Sequence, residues 1–261
     1  MSFVAVGQSI NSRLHARAAA VLVQLQTRLD RIVLGWLLIA GLACAARIAF
    51  SPVKAPLGLE VFTPYLLLVL APAASMLLAL RWFADGDNQP QPQFRLAIVG
   101  RWRNVDRSVA QRHALYGAGG IMVSLLVGML INVPIRALEY LGAMPAISGT
   151  VPPWLSVLHT MMTLDVVLMT SLYSIAFVAA LRHVPLFPRL LAAIWGLDLA
   201  MQLIIAEVVA GTPGLPPAVA DALQSLLEGN AKKVLISIGL WLPYLLLSRR
   251  VNLTYRSRVA A

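Results

Sequence analysis

The feature that most constrains this chain is a series of six apolar runs, each close to the roughly 20 residues a helix needs to cross the hydrocarbon layer of a bilayer. They cover residues 32 to 50, 62 to 82, 114 to 133, 154 to 181, 187 to 210 and 233 to 248. One soluble domain has no room to hide them. The 261 residues are 59% hydrophobic and only 12% charged, a balance that belongs in a membrane. The expected fold is an all-α, polytopic transmembrane bundle of six crossings over residues 32 to 261.

Arginine and lysine placement sets the expected orientation, because positive charge is retained on the cytoplasmic side. One side holds Arg13, Arg17, Arg28, Arg31, Arg81, Arg95, Arg101, Arg103, Arg107, Arg112, Arg182, Arg189, Arg249, Arg250, Arg256 and Arg258, which is 16 of the 21 basic residues. The other side holds Arg47, Lys54, Arg136, Lys232 and Lys233. This bias puts both termini in the cytoplasm of a multi-pass protein of the bacterial inner membrane. Residues 1 to 31 then form an amphipathic helix on the cytoplasmic surface. Leu14, Ala18, Val21, Leu22, Leu25 and Leu29 recur at helical spacing, and Arg13, Arg17, Gln24 and Arg28 take the other face.

A net charge of +10 would suit nucleic acid only if the basic residues shared one soluble face, and here they punctuate apolar runs. Membrane lipid is therefore the expected partner, and nucleic acid is not. Phe94 and Trp102, set among arginines, read as interface anchors. Pro216 and Pro217, followed by Val219, Leu223, Leu226 and Leu227, predict a short surface helix before the last crossing. The run Gly117 to Gly120, with Ser124 and Gly128, predicts a face for close helix approach, within this chain or with another membrane-protein subunit.

Ionisable groups at mid-bilayer cost roughly 2.5 to 3.5 kcal/mol on insertion scales, so Asp165 and Asp198 each need a partner, a cavity or a purpose. Each lies about eleven residues, or roughly 16 Å, from the start of its expected helix. The expected intramembrane polar cluster is Arg47, His159, Asp165, Asp198, Gln202 and Glu207. Pairing that only holds helices together, proton or solute passage, and catalysis all stay open for it.

Catalytic templates are missing: the chain has no HExxH, GxSxG or Walker-type glycine loop, and no catalytic residue is assigned. His15, His113 and His183 stand near cytoplasmic ends without a ligand set, so neither a metal nor a cofactor is expected. A single cysteine, Cys44, rules out an intrachain disulfide.

The last crossing carries Pro243, which removes a backbone donor and clashes with the carbonyl of Gly239, so a kink is expected there. Tyr244, Arg249 and Arg250 read as anchors at the inner interface. Three stretches, LGWLLIAG at Leu34 to Gly41, FVAALRHVPLFPRLLAAIW at Phe177 to Trp195 and WLPYLLLSRRVNLTY at Trp241 to Tyr255, resemble the small polytopic bacterial membrane proteins called the domain of unknown function 2569 family. Leu34 stands where that family has a first glycine, and about seventy extra residues hold the second and third crossings. The resemblance implies a bundle and names no enzyme, cofactor or substrate. The leading expectation is an accessory or assembly component packing against membrane proteins or lipid. Its alternative is a small proton-coupled transporter using the mid-membrane aspartates, and a third reading is an intramembrane lipid-modifying enzyme.

Overall fold

The computed structural model describes residues 16–51, 58–93, 100–147 and 150–261. Arg13, Leu14, His15, Lys54, Phe94 and Arg95, with the first half of the expected surface helix, lie outside the described residues. The helices in chain order are α1 (residues 16–27), α2 (Leu29–Ala49), α3 (Leu59–Trp82), α4 (Arg107–Gln111), α5 (Ile121–Ala143), α6 (Pro153–Leu181), α7 (Phe187–Ala210), α8 (Pro217–Leu247) and α9 (Arg249–Arg256). Five of them, α2, α3, α5, α6 and α7, are long and apolar enough to cross a membrane. A sixth span results if α8 and α9, bent by 70° at their junction, count as one. The architecture is a multi-pass bundle of apolar helices.

Prolines at the first helical positions of α6, α7 and α8 suit a place where a backbone donor has no partner anyway. Pro64, Pro72, Pro134 and Pro243 lie inside helices that continue past them. Interior prolines are tolerated in membrane helices because neighbouring groups satisfy the freed carbonyls.

Three boundaries differ from the expected ones. The third crossing is α5, and it runs through Pro134 to Ala143, while residues 114 to 120 form a turn. Gly117 and Gly120 set that turn, at φ +97° and +63°. The expected surface helix and the last crossing are one continuous helix, α8, with no proline between Pro217 and Pro243 and with Gly229 carried inside it. The all-α expectation also misses a short antiparallel pair, β1 (Trp102–Asn104) with β2 (Arg258–Ala260), which aligns Trp102 with Ala260 and Asn104 with Arg258. Trp102, expected as an interface anchor, is part of that pair.

The bundle is built around α6, which packs on α3, α5 and α7, and α8 packs on the far side of α7. Its apolar core comes in two parts. One gathers Met122, Leu126, Met169, Phe177, Leu191 and Ile194, joined by Leu25 and Leu29 from the α1–α2 junction. The other gathers Tyr65, Leu68, Tyr140, Leu158, Ile205 and Val209. Along α5, α6 and α7 the two parts leave a gap between Val133 and Ala137, Val166 and Met169, and Trp195 and Ile205. Outside, Leu38, Ile39, Leu42, Leu203 and Ile236 are exposed, as lipid-facing positions are.

Candidate functional site

The gap between the two halves of the core is filled by charge. Arg136 projects from α5, one turn beyond Val133, and its guanidinium meets one carboxylate from α6 and another from α7. Nη2 donates to Asp198 Oδ2 in a close ion pair, and Nη1 reaches Asp165 Oδ2 at 3.4 Å. Tyr173 OH donates to the same Asp198 oxygen at 3.1 Å. Its ring lies 5.7 Å from the guanidinium carbon. Gln202, four residues after Asp198 on one helix face, approaches Asp198 Oδ1 at 3.5 Å and accepts from Asn230 of α8 at 3.4 Å.

The two carboxylates are held unequally. Asp198 is fully buried and has a guanidinium, a phenol and an amide around it. Asp165 has the single longer contact to Arg136, and its Oδ1 is buried with no hydrogen-bond partner among the described residues. With both carboxylates ionised, one guanidinium leaves the triad a charge of minus one in a medium of low dielectric.

Two cavities flank this triad. The first, about 140 Å³, is lined by Leu125, Met129, Leu191, Trp195 and Trp241, near the starts of α5 and α7 and the end of α8. The second, about 370 Å³, is lined by Tyr140, Met162, Val166, Ala222 and Leu226, near the end of α5 and the starts of α6 and α8, and it reaches Asp165. They therefore extend toward opposite ends of the bundle, and Arg136, Glu139, Asn230 and Lys233 line both. Both open between α5 and α8, where α8 rests on α7 and stands off α5. Lys233 and Glu139 form an ion pair across that opening, 60% and 39% exposed.

Of the six residues expected to cluster, Asp165, Asp198 and Gln202 come together. Arg47 instead donates from Nε to the carbonyl of Met144 at 3.0 Å, and Glu207 is exposed on α7. His159 belongs to a separate group with Tyr140 at 3.3 Å, and Tyr140 meets Thr163 at 2.7 Å. The expected cluster loses Arg47 and Glu207 because both lie toward helix ends, a turn or more from the polar layer. Arg136, its organising cation, falls outside the third crossing expected at residues 114 to 133, just past Pro134. The signal was the apolar pattern resuming after it at Ile135, Ala137, Leu138 and Leu141.

The other singled-out residues build the end of the bundle near α9. Pro243 sits within α8, and a side chain added at Gly239 would meet nothing within 4 Å. The 70° change of direction falls at Ser248, whose Oγ accepts from Val251 N at the start of α9. Tyr244 packs edge-on to Trp241, and Arg249 is exposed. Arg250 donates to the carbonyl of Gly117 at 3.3 Å, and Gly117 N donates to Thr254 Oγ1 at 3.0 Å. A side chain at Gly119 would come within 3.2 Å of Arg250 Nη1. The Gly117 to Gly120 run is thus the seat of α9 in this chain.

Beside that seat, Asp87 Oδ1 accepts from Tyr116 OH at 2.8 Å and from His183 Nδ1 at 3.1 Å. Burial pushes the Asp87 carboxyl up, but the bonds from His183 and Tyr116 outweigh it and hold the group below its ordinary range. Tyr116 is pushed well up by its own burial and by the neighbouring carboxylate. Among the described residues no three His, Cys, Asp or Glu side chains gather as a metal ion would require.

Comparison with protein-family models, curated proteins and solved structures finds no match for this chain.

Proposed function

We propose that the chain is a six-crossing protein of the bacterial cytoplasmic membrane, with both termini inside, that couples solute passage to one proton taken up at Asp165. The observation that carries this reading is the position of the charged triad between two cavities extending to opposite ends of the bundle. Pairs that only fasten helices need no cavities beside them. This triad sets two carboxylates on one guanidinium, and one of them, Asp165, lines the larger cavity and has a buried Oδ1 with no hydrogen-bond partner among the described residues. One proton restores neutrality, and Asp165, the more loosely held carboxylate, is placed to receive it. Arg136 makes its close contact to Asp198 and its longer one to Asp165, which leaves Asp165 as the exchanging group.

The arginine bias supports the orientation, and with it the larger cavity lies toward the outer side. Leu22, Leu25 and Leu29 on the bundle side of α1 and α2 support a surface helix packed along the inner leaflet. The likeness to the domain of unknown function 2569 family stands as a proposal of ancestry and adds no activity. An assembly role has lost its main support, because α9 fills the Gly117 to Gly120 face.

Infrared difference titration of the protein in lipid nanodiscs tests the proton site. The expected result is a carboxylic-acid C=O band that grows on acidification, is lost in Asp165→Asn and survives in Glu139→Gln. A titrating band that persists unchanged in Asp165→Asn, or no band in the wild type, overturns the assignment.

A further inference from the structure

The opening between α5 and α8 also restricts what the site can take. A water-filled channel along the bundle axis would be walled by helices on every side. Here the larger cavity opens through the flank of the bundle, past exposed Ala222, Ser225 and Lys233 on α8. Its apolar and adaptable part is made by Met162, Val166 and Leu226 with Tyr140, beside the polar Ser225 and Asn230. Asp165 lines it as well, and Oδ1 of that carboxylate is buried with no hydrogen-bond partner among the described residues. The charged groups lining it are Arg136 and Glu139 from α5, Asp165 from α6 and Lys233 from α8, and Asp198 of α7 lies behind them on Arg136. Three carboxylates against two cations leave one negative charge to be matched.

We infer that the occupant is a lipophilic monocation, an amphiphilic amine or onium ion, that enters sideways from the bilayer between α5 and α8 and places its charge against Asp165. The inference rests on the proton-site reading above and names the substrate class of that site. A hydrophilic cation would leave the apolar walls facing a hydration shell it must shed. A lipophilic anion would meet the uncompensated carboxylate at short range. Past Arg136, Trp195 and Trp241 line the smaller cavity, and indole rings suit a desolvated cation on its onward path. A bound cation and a proton satisfy the same charge, so the two exclude each other at Asp165.

Equilibrium binding to the full chain in nanodiscs tests this, with tetraphenylphosphonium as the probe, tetraphenylborate as the anion of like shape and tetramethylammonium as the hydrophilic cation. The expected result is saturable tetraphenylphosphonium binding above that of empty nanodiscs, weakened about tenfold or more in Asp165→Asn and on acidification. Gly229→Leu fills the cavity from a position where a side chain meets nothing within 4 Å. It is expected to weaken the probe by a similar factor while keeping the wild-type infrared titration. Probe uptake no greater than in empty nanodiscs, binding unchanged in both variants, or tighter binding of tetraphenylborate overturns the inference. If the Asp165 band titrates and the probe still fails to bind, the proton site stands and the lipophilic cation falls; if the band is also missing, both fall.

Discussion

The mid-bundle triad and the end built on α9 both bury polar side chains, yet they spend their hydrogen bonds on different partners. At the α9 end the bonds go mostly to backbone. Tyr255 OH donates to Ala180 O at 2.8 Å, Asn252 Nδ2 to Leu246 O and Ser248 O at 2.9 and 3.0 Å, and Arg256 Nη1 to Leu245 O at 2.7 Å. These bonds satisfy carbonyls left over at helix ends and fix one element to another. At mid-bundle the partners are side chains of opposite charge, the charge does not balance, and cavities lie beside them. The α9 end closes its hydrogen bonds on carbonyls, while the triad leaves Asp165 Oδ1 buried with no hydrogen-bond partner among the described residues.

Removing the cation breaks this contrast hardest. Arg136→Met leaves two carboxylates facing each other without compensation, and loss of one partner of a buried pair costs about 3 to 5 kcal/mol. Loss of folded protein in a thermal-unfolding assay is the expected outcome, with recovery in Arg136→Met/Asp198→Asn. At the α9 end the corresponding change is Tyr255→Phe, which strands the Ala180 carbonyl beside a ring that is 1% exposed. A loss of about 1 to 3 kcal/mol is expected there, with no change in the infrared titration of Asp165. Asp165→Asn behaves the opposite way: stability stays within about 1 kcal/mol of wild type, because its ion-pair contact is long, while proton uptake is lost.

The smallest effect is at Asp87. Its folded-state pKa lies below the unfolded value near 3.9, so its contribution is fully present above that pH. The contribution drains away as pH falls through the folded value. Asp87 is 42% exposed, and solvent screens it. Thermal scans from pH 5 to pH 3 should show a slightly steeper acid loss in wild type than in Asp87→Asn. An identical slope in the two would remove Asp87 from the acid response.

The bundle was legible in the sequence because lipid leaves long apolar helices few alternatives: α3, α6 and α7 fall within three residues of their expected bounds. Asp165, Asp198 and Gln202 were legible for the same reason, since polar atoms inside such runs demand partners. What stayed hidden depends on three-dimensional packing. A proline within an apolar run commonly ends a helix in water, and Pro134 is carried through α5 in this bundle, which brings Arg136 into the core and Glu139 to its edge. Gly117 to Gly120 looked like a helix face, but two positive φ angles make it a turn that receives α9. The β1–β2 pair joins segments more than 150 residues apart, beyond the reach of any local pattern.

The proposed function rests on the charged triad lying between two cavities that extend toward opposite ends of the bundle. Single cysteines placed in a Cys44→Ala background, Ser225→Cys in the larger cavity and Asn132→Cys in the smaller, test it with a membrane-impermeant thiol reagent applied to either face of oriented vesicles. The account predicts labelling of Ser225→Cys from the outer face and of Asn132→Cys from the inner face. Labelling of both from one face, or of neither from either, would contradict it.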